Sequence, residues 1–282
     1  MAGLAPCTVV VVGGMAVDHI MVTNRLPDEG ETGPAQSYDK YLGGKGANAA
    51  IAVRRSWCSR PTDYIEDDIL PSTLDGLTVR MIGSIGSDCA REFQALFEAN
   101  GIDATEIKEV ENMPSSTSFI IIDQYTKDNR ILCFPGASND WQPSDFAAPG
   151  VLASRNEVNP DLIVAVMEME ILVVEQLIMT AGQEAIELLL HASPASTILR
   201  ECYRYIRHLI VNESEAAILS GLDLEEVNDE SWQSIAQDFL DRGVSNVVIM
   251  LGDVGAYYAN AEVQGLLPAI RNVPVVDVTG AG

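Results

Sequence analysis

Basic side chains are scarce in this chain. Its 17 Lys and Arg stand against 41 Asp and Glu, a formal charge of -24 over 282 residues. Nucleic acid and anionic membrane surfaces both need a basic footprint, so this balance excludes them as partners. Small anions are a separate case, because beyond about 8–10 Å the field of distant carboxylates is screened at cellular salt. A phosphate would be held by local amides, a Lys or a metal ion. Histidine is nearly missing too. The three present (His19, His191, His208) are too dispersed for a catalytic triad or a metal cluster to be the default. The five cysteines (Cys7, Cys58, Cys89, Cys133, Cys202) are scattered, odd in number and without a CxxC pair. They argue against a zinc site and fit a reduced, cytoplasmic setting, with the nucleus also open. Long apolar runs are lacking as well. Val9–Val12 ends at Gly13-Gly14, and Leu162–Met167 is closed by Glu168, far short of a bilayer span. The start lacks the basic n-region of a signal peptide, so no leader is expected.

What is present is ordinary for a globular enzyme: 47% hydrophobic and 21% charged residues. Short apolar strands alternate with helical patterns, which predicts an α/β fold with a doubly wound, mostly parallel sheet. Thr8–Val12 and Leu77–Ile82 are strand patterns that run into glycines. Asp88 is placed to cap a helix carrying Phe93, Leu96 and Phe97 on one face, with Gly101 at its end. Trp232, Ile235, Ala236, Phe239 and Leu240 form one stripe of a helix from about Ser231 to Arg242, and Asn246–Leu251 follows as a buried strand. Two stretches break the alternation. Residues 17–41 and 105–134 read as antiparallel hairpins that pair into a small sheet covering one face. Residues 54–76, with Pro61, Pro71 and the acidic run Glu66-Asp67-Asp68, read as a surface insertion. One domain over 1–282 is expected.

Two glycine clusters carry the chemistry. Gly43-Gly44-Lys45-Gly46-Ala47-Asn48 precedes a small-residue helix; its glycines let backbone approach a ligand closely, and the helix N-terminus is expected to present amides, one ammonium and one carboxamide to it. It is not a Walker A loop, which needs Lys followed by Ser or Thr, whereas Gly46 follows Lys45. The second cluster is Asp277-Val278-Thr279-Gly280-Ala281-Gly282, after the strand pattern Val273–Val276. Bare N–H groups there would make a pocket for an anion. No GxGxxG follows the first strand, where Met15 succeeds Gly13-Gly14, so a dinucleotide binder is disfavoured.

Together these clusters, in this order and spacing, resemble the ribokinase-type sugar kinases of the PfkB carbohydrate kinase family. That family carries an N-terminal di-glycine signature and a C-terminal DTxGAGD signature. The resemblance runs from Thr8 to Gly282 and implies a Rossmann-like core with a β lid, and ATP-dependent transfer to a sugar hydroxymethyl group, D-ribose at O5. It makes Asp18, Gly44, Lys45, Asn48 and Glu170 the sugar-binding residues. Asn212, Gly252, Asp253 and Gly255 fall at the nucleotide, and Glu215 at Mg²⁺ through water. Asp277 and Thr279 match half of a monovalent-cation loop, implying K⁺. Gly280, Ala281 and Gly282 form the anion hole for the transferring phosphoryl. The implied partners are a small sugar and MgATP, and a homodimer through the lid is possible.

Three departures qualify the resemblance. Ala16 stands where such kinases carry Asn, which leaves one sugar contact open. Val278 replaces the usual Thr. The catalytic aspartate belongs immediately after Gly282, so the polypeptide as written is expected to be impaired or inactive. Two other readings stay open: a kinase for adenosine, fructose or another acceptor, and a sugar- or nucleotide-binding paralogue without catalysis.

Overall fold

The computed structural model describes residues 6–57, 76–126, 128–153 and 158–271. The chain divides into two compact units, Met1–Trp141 and Gln142–Gly282. The first runs β1 (Cys7–Val12), β2 (Ala16–Thr23), β3 (Ala35–Gly43), α1 (Lys45–Ser56), β4 (Leu77–Gly86), α2 (Ala90–Ala99), β5 (Asp103–Val110), β6 (Ser116–Asp123) and β7 (Asn129–Phe134). Strands β1, β4 and β5 form a parallel sheet in that order. Val9–Val12 is buried throughout, as a β-branched run covered on both faces should be.

A second sheet has the order β3-β2-β6-β7. Here the expected lid needs correction. Residues 103–110 pair with β4, because β4, α2 and β5 make a β–α–β crossover that returns its second strand beside the first. Only 116–134 of the second stretch enters the small sheet. Its central pair, β2 with β6, is parallel, while β3 and β7 flank that pair in antiparallel register. Each stretch supplies one hairpin, and the two hairpins meet side by side with their central strands aligned.

Two further expectations change. Asp88 does not cap α2, whose N-cap is Cys89 with no side-chain cap bond. Its Oδ1 instead accepts from the Ser115 amide at 3.0 Å and the Ser115 hydroxyl at 2.5 Å, tying the end of β4 to the start of β6. Arg54 is no surface residue. It is fully buried and donates to the Leu77 carbonyl at 3.2 Å. Arg55 and Ser56 also belong to α1, so the expected insertion begins too early, and 58–75 lie outside the described residues.

The second unit runs β8 (Leu162–Val166), α3 (Ile171–Gln183), β9 (Glu187–His191), β10 (His208–Asn212), α4 (Glu213–Ser220), α5 (Trp232–Asp241), β11 (Asn246–Met250), β12 (Gly255–Asn260) and β13 (Gln264–Pro268). Strands β8 to β11 pair in parallel in sequence order, and β12 and β13 add an antiparallel edge. The α5 stripe buries Ile235, Ala236 and Phe239 as its periodicity predicts, and Gly243, at φ +109°, stops the helix in a left-handed conformation. His208 is the first residue of β10, where burial pulls its imidazole below the usual range. Because β8, β10 and β11 are parallel, the residues just after each of them share one edge of this unit. That edge is where ligands sit in open α/β sheets.

Candidate active site

In the first unit the di-glycine turn lies against the chain just after β1. The Ala47 amide donates to the Gly14 carbonyl at 3.2 Å, and the Asn48 amide to the Gly44 carbonyl at 2.9 Å. Two amides expected to face a ligand are therefore spent inside the protein. The glycines serve packing instead. A Cβ on Gly44, which sits at φ +91°, would fall 2.6 Å from the Ala16 nitrogen and 2.8 Å from the Gly14 oxygen. One on Gly46 would fall 2.6 Å from the Gly13 carbonyl carbon. Only bare backbone lets the two segments approach so closely.

That approach gathers the polar groups. Asp18 lies two residues into β2, opposite Tyr41 of β3 and Ser118 of β6. Its carboxylate passes directly beneath Gly43, where a Cβ would come within 2.4 Å of Oδ2. Burial pushes the Asp18 carboxyl above its ordinary value, opposed by a hydrogen bond from the Ser118 hydroxyl and by the charges of Lys45 and His19. Lys45 opens α1 and is half-buried, whereas Asn48 is exposed one turn further on. Asp18, Gly44, Lys45 and Asn48 thus fall in one neighbourhood. It can accept hydrogen bonds from hydroxyls at the carboxylate and donate to them from the ammonium and the carboxamide. Gly43 and Ser118 belong to the same neighbourhood; the sequence put Gly43 in its glycine cluster without a role of its own, and Ser118 becomes visible only when strand register is known.

In the second unit, Glu170 and Gly252 stand past the carboxyl ends of β8 and β11, and Asn212 is the last residue of β10. Glu170 is exposed and precedes α3, with its carbonyl accepting from the Val173 amide at 2.9 Å and no side-chain cap bond. A carboxylate there also gains from the helix dipole. Asn212 caps α4. Its Oδ1 accepts from the Glu215 amide, and Glu215 Oε2 accepts from the Asn212 amide, both at 2.8 Å. This reciprocal box commits one oxygen of Glu215, which is only 5% exposed, to structure. At Gly252 the backbone is left-handed (φ +54°) and nothing lies within 4 Å of a would-be Cβ, so the turn is open to an approaching group. Asp253 beside it is exposed. Gly255 differs. Its Cβ would strike the Leu267 carbonyl at 2.1 Å, so the β12–β13 hairpin alone demands glycine there. Asp277, Thr279, Gly280, Ala281 and Gly282 lie outside the described residues.

Comparison with known proteins gives a consistent result. Residues 8–282 match the family model described as pfkB family carbohydrate kinase. A ribokinase from Schizosaccharomyces pombe is 31% identical over 278 residues, covering 97% of this chain and 81% of that protein. A deoxyribokinase from Salmonella typhi is 28% identical over 276 residues, covering 97% and 81%. The structure of Arabidopsis thaliana ribokinase complexed with ribose and ATP superposes with a TM-score of 0.76 at 23% identity, covering 99% of this chain and 82% of that one. The fold is ribokinase-like α/β.

Proposed function

The chain belongs to the pfkB family of carbohydrate kinases, and from that premise we propose that it transfers the terminal phosphoryl group of ATP to O5 of D-ribose. The observation that carries this reading is the neighbourhood of Asp18, Gly43 and Lys45. A half-buried carboxylate under a glycine, with an ammonium beside it, offers the directional partners that sugar hydroxyls require once they leave water. Gly44 and Asn48 complete the set that this unit offers the sugar. Asn212, Gly252, Asp253 and Gly255 are assigned to the nucleotide, with the open turn at Gly252 admitting it.

In the proposed reaction O5 bonds to the γ-phosphorus while the bond from that phosphorus to the bridging oxygen breaks, and ADP leaves. The hydroxyl proton passes to a carboxylate base, which the family resemblance puts directly after Gly282. Such a base is worth about 10²–10⁴ in rate. Amides of Gly280, Ala281 and Gly282 would receive the charge on the transferring group. Among the described residues no cluster of three or more ligating side chains could hold a metal. Mg²⁺ would accordingly travel with the phosphates, and the one uncommitted oxygen of Glu215 would meet it through water, as a hard cation that keeps its hydration allows. Asp277 and Thr279 would serve K⁺.

Titration calorimetry with ribose, 2-deoxyribose, fructose and adenosine, each with and without MgATP, tests the assignment. Ribose is expected to bind tightest. Tighter binding of adenosine or fructose would replace it as the acceptor, and Ala16 is where such a shift would originate. ADP release with the same panel, measured on a longer form that carries the aspartate after Gly282 and the trailing helices, separates a kinase from a paralogue that only binds. The reading extends to a homodimer through the small sheet, which leaves Tyr38, Phe119, Leu132 and Phe134 exposed, Leu132 at 74%. An apolar surface of that kind marks an interface. Sedimentation should give a dimer that Leu132→Asp dissociates, and a monomeric native chain would refute it. Among the described residues no helix is long and apolar enough to cross a membrane.

A further inference from the structure

Three strands of the small sheet bring one side chain each into a single row. Asp18 of β2 is registered with Ser118 of β6, and Ser118 with Cys133 of β7. The contacts along this row have a direction. The Cys133 thiol donates to the Ser118 hydroxyl oxygen at 3.7 Å. Ser118 stands directly across from Asp18 on the same face of the paired strands, and its hydroxyl hydrogen, left over once the oxygen accepts from the thiol, is placed to favour the ionised Asp18 carboxylate. Asp18 is also confined from above, since Gly43 leaves no room beyond a hydrogen between the strand and Oδ2. The carboxylate therefore lies between the Gly43 backbone and the Ser118 side chain of the neighbouring strand.

We propose that Ser118 is the positioning residue for the sugar-binding carboxylate of Asp18, holding it oriented through the cross-strand row that Cys133 extends to the sheet's edge. The proposal rests on the reading of Asp18 as a sugar ligand. It adds a residue that has no contact with the sugar in that reading and acts only through Asp18. A carboxylate that accepts one fixed donor keeps its remaining lone pairs in a set direction, which is what two adjacent ring hydroxyls need.

The groups facing Asp18 are Lys45 at the start of α1, Tyr41 across on β3, Ser118 with Cys133 behind it, and His19 on its own strand. All except Ser118 are unchanged in a Ser118→Ala chain, so a difference in pH profile between the two proteins reports the lost hydroxyl. Removing a hydrogen bond that favours the ionised form raises the carboxyl's proton affinity further. Ribose affinity should then fall away at a higher pH in the variant than in the native chain.

The test is ribose calorimetry from pH 5 to 8 on the full chain and on Ser118→Ala, Ser118→Thr and Asp18→Asn. The expected result is about tenfold weaker ribose binding for Ser118→Ala at neutral pH. Its acid midpoint should be displaced upward, and Ser118→Thr should lie close to the native protein. If Ser118→Ala binds ribose with unchanged affinity and midpoint while Asp18→Asn loses it, the positioning role is wrong and the sugar site stands. Weakened binding with an unmoved midpoint, or no rescue by Thr, would also overturn it, since simple repacking predicts both. If Asp18→Asn itself binds ribose normally, the sugar site fails and the proposal goes with it.

Discussion

Gly44→Ala is expected to abolish ribose binding and to lower the unfolding midpoint by about 6–12 °C, which is what about 3 kcal/mol means for a chain of this size. Two separate costs combine at this position. An L-residue at φ +91° is strained by about 1–2 kcal/mol. The added methyl also meets three backbone atoms, the Ala16 nitrogen, the Gly14 oxygen and the Met15 Cα, all within 2.8 Å. Backbone cannot swing aside as the end of a side chain can, so the turn must lift away from the end of β1. Lifting it breaks the Ala47 to Gly14 hydrogen bond and carries Lys45 away from Asp18. Gly30→Ala separates the two costs, because Gly30 shares the left-handed backbone (φ +77°) but has nothing within 4 Å of its would-be Cβ. It should pay the strain alone, leaving ribose binding intact. Gly46→Ala, which clashes with Gly13 and Gly14 without a positive φ, should pay the clash alone. Thermal melts and ribose titrations on the three variants measure both terms. Equal behaviour of Gly44→Ala and Gly30→Ala would mean that the close approach at Gly44 does not hold in solution.

How much of this was legible beforehand depended on the range of the interactions. The helices announced themselves locally. The α5 stripe is settled by contacts a few residues apart, and it stands where its pattern puts it. The strands were legible as strands but not in their pairing. Nothing in residues 103–110 says that they join β4 rather than the lid, because their pattern of side-chain exposure suits either sheet, and the decision lies in the crossover made by α2. Asp88 misled for a related reason. It sits where a cap belongs, yet a partner at Ser115, 27 residues away, takes its carboxylate. The site shows the same division. Asp18 and the di-glycine turn were visible as motifs, whereas their mutual fit, with Gly43 seated over Asp18 and Ser118 beside it, exists only in the paired strands. Glycine-rich motifs also led to amides being read as ligand donors when the fold had already used two of them.

Asp18→Asn is the change with the second-largest expected effect, and its two consequences run in opposite directions. Ribose affinity should fall by about a hundredfold or more, since a half-buried carboxylate accepting from hydroxyls makes charge-assisted hydrogen bonds that an amide of equal size does not. Stability should not fall with it. Burial makes Asp18 harder to ionise in the folded chain than in the unfolded one, and the Ser118 hydroxyl, Lys45 and His19 do not fully compensate. An acid whose folded pKa is raised costs stability wherever it is ionised. The cost is present in full above the folded pKa and is relieved as pH falls through it towards the unfolded value. At neutral pH the asparagine chain should therefore melt no lower than the native one, and any margin in its favour should close in acid. Gly43→Ala supplies the complementary perturbation, because it forces Oδ2 out of its place while leaving the charge intact. It should weaken ribose binding and lower the melting temperature together. A native chain that melts well above Asp18→Asn at neutral pH would show that this carboxylate stabilises the fold, and its burial could then no longer be read as a cost retained for ligand recognition.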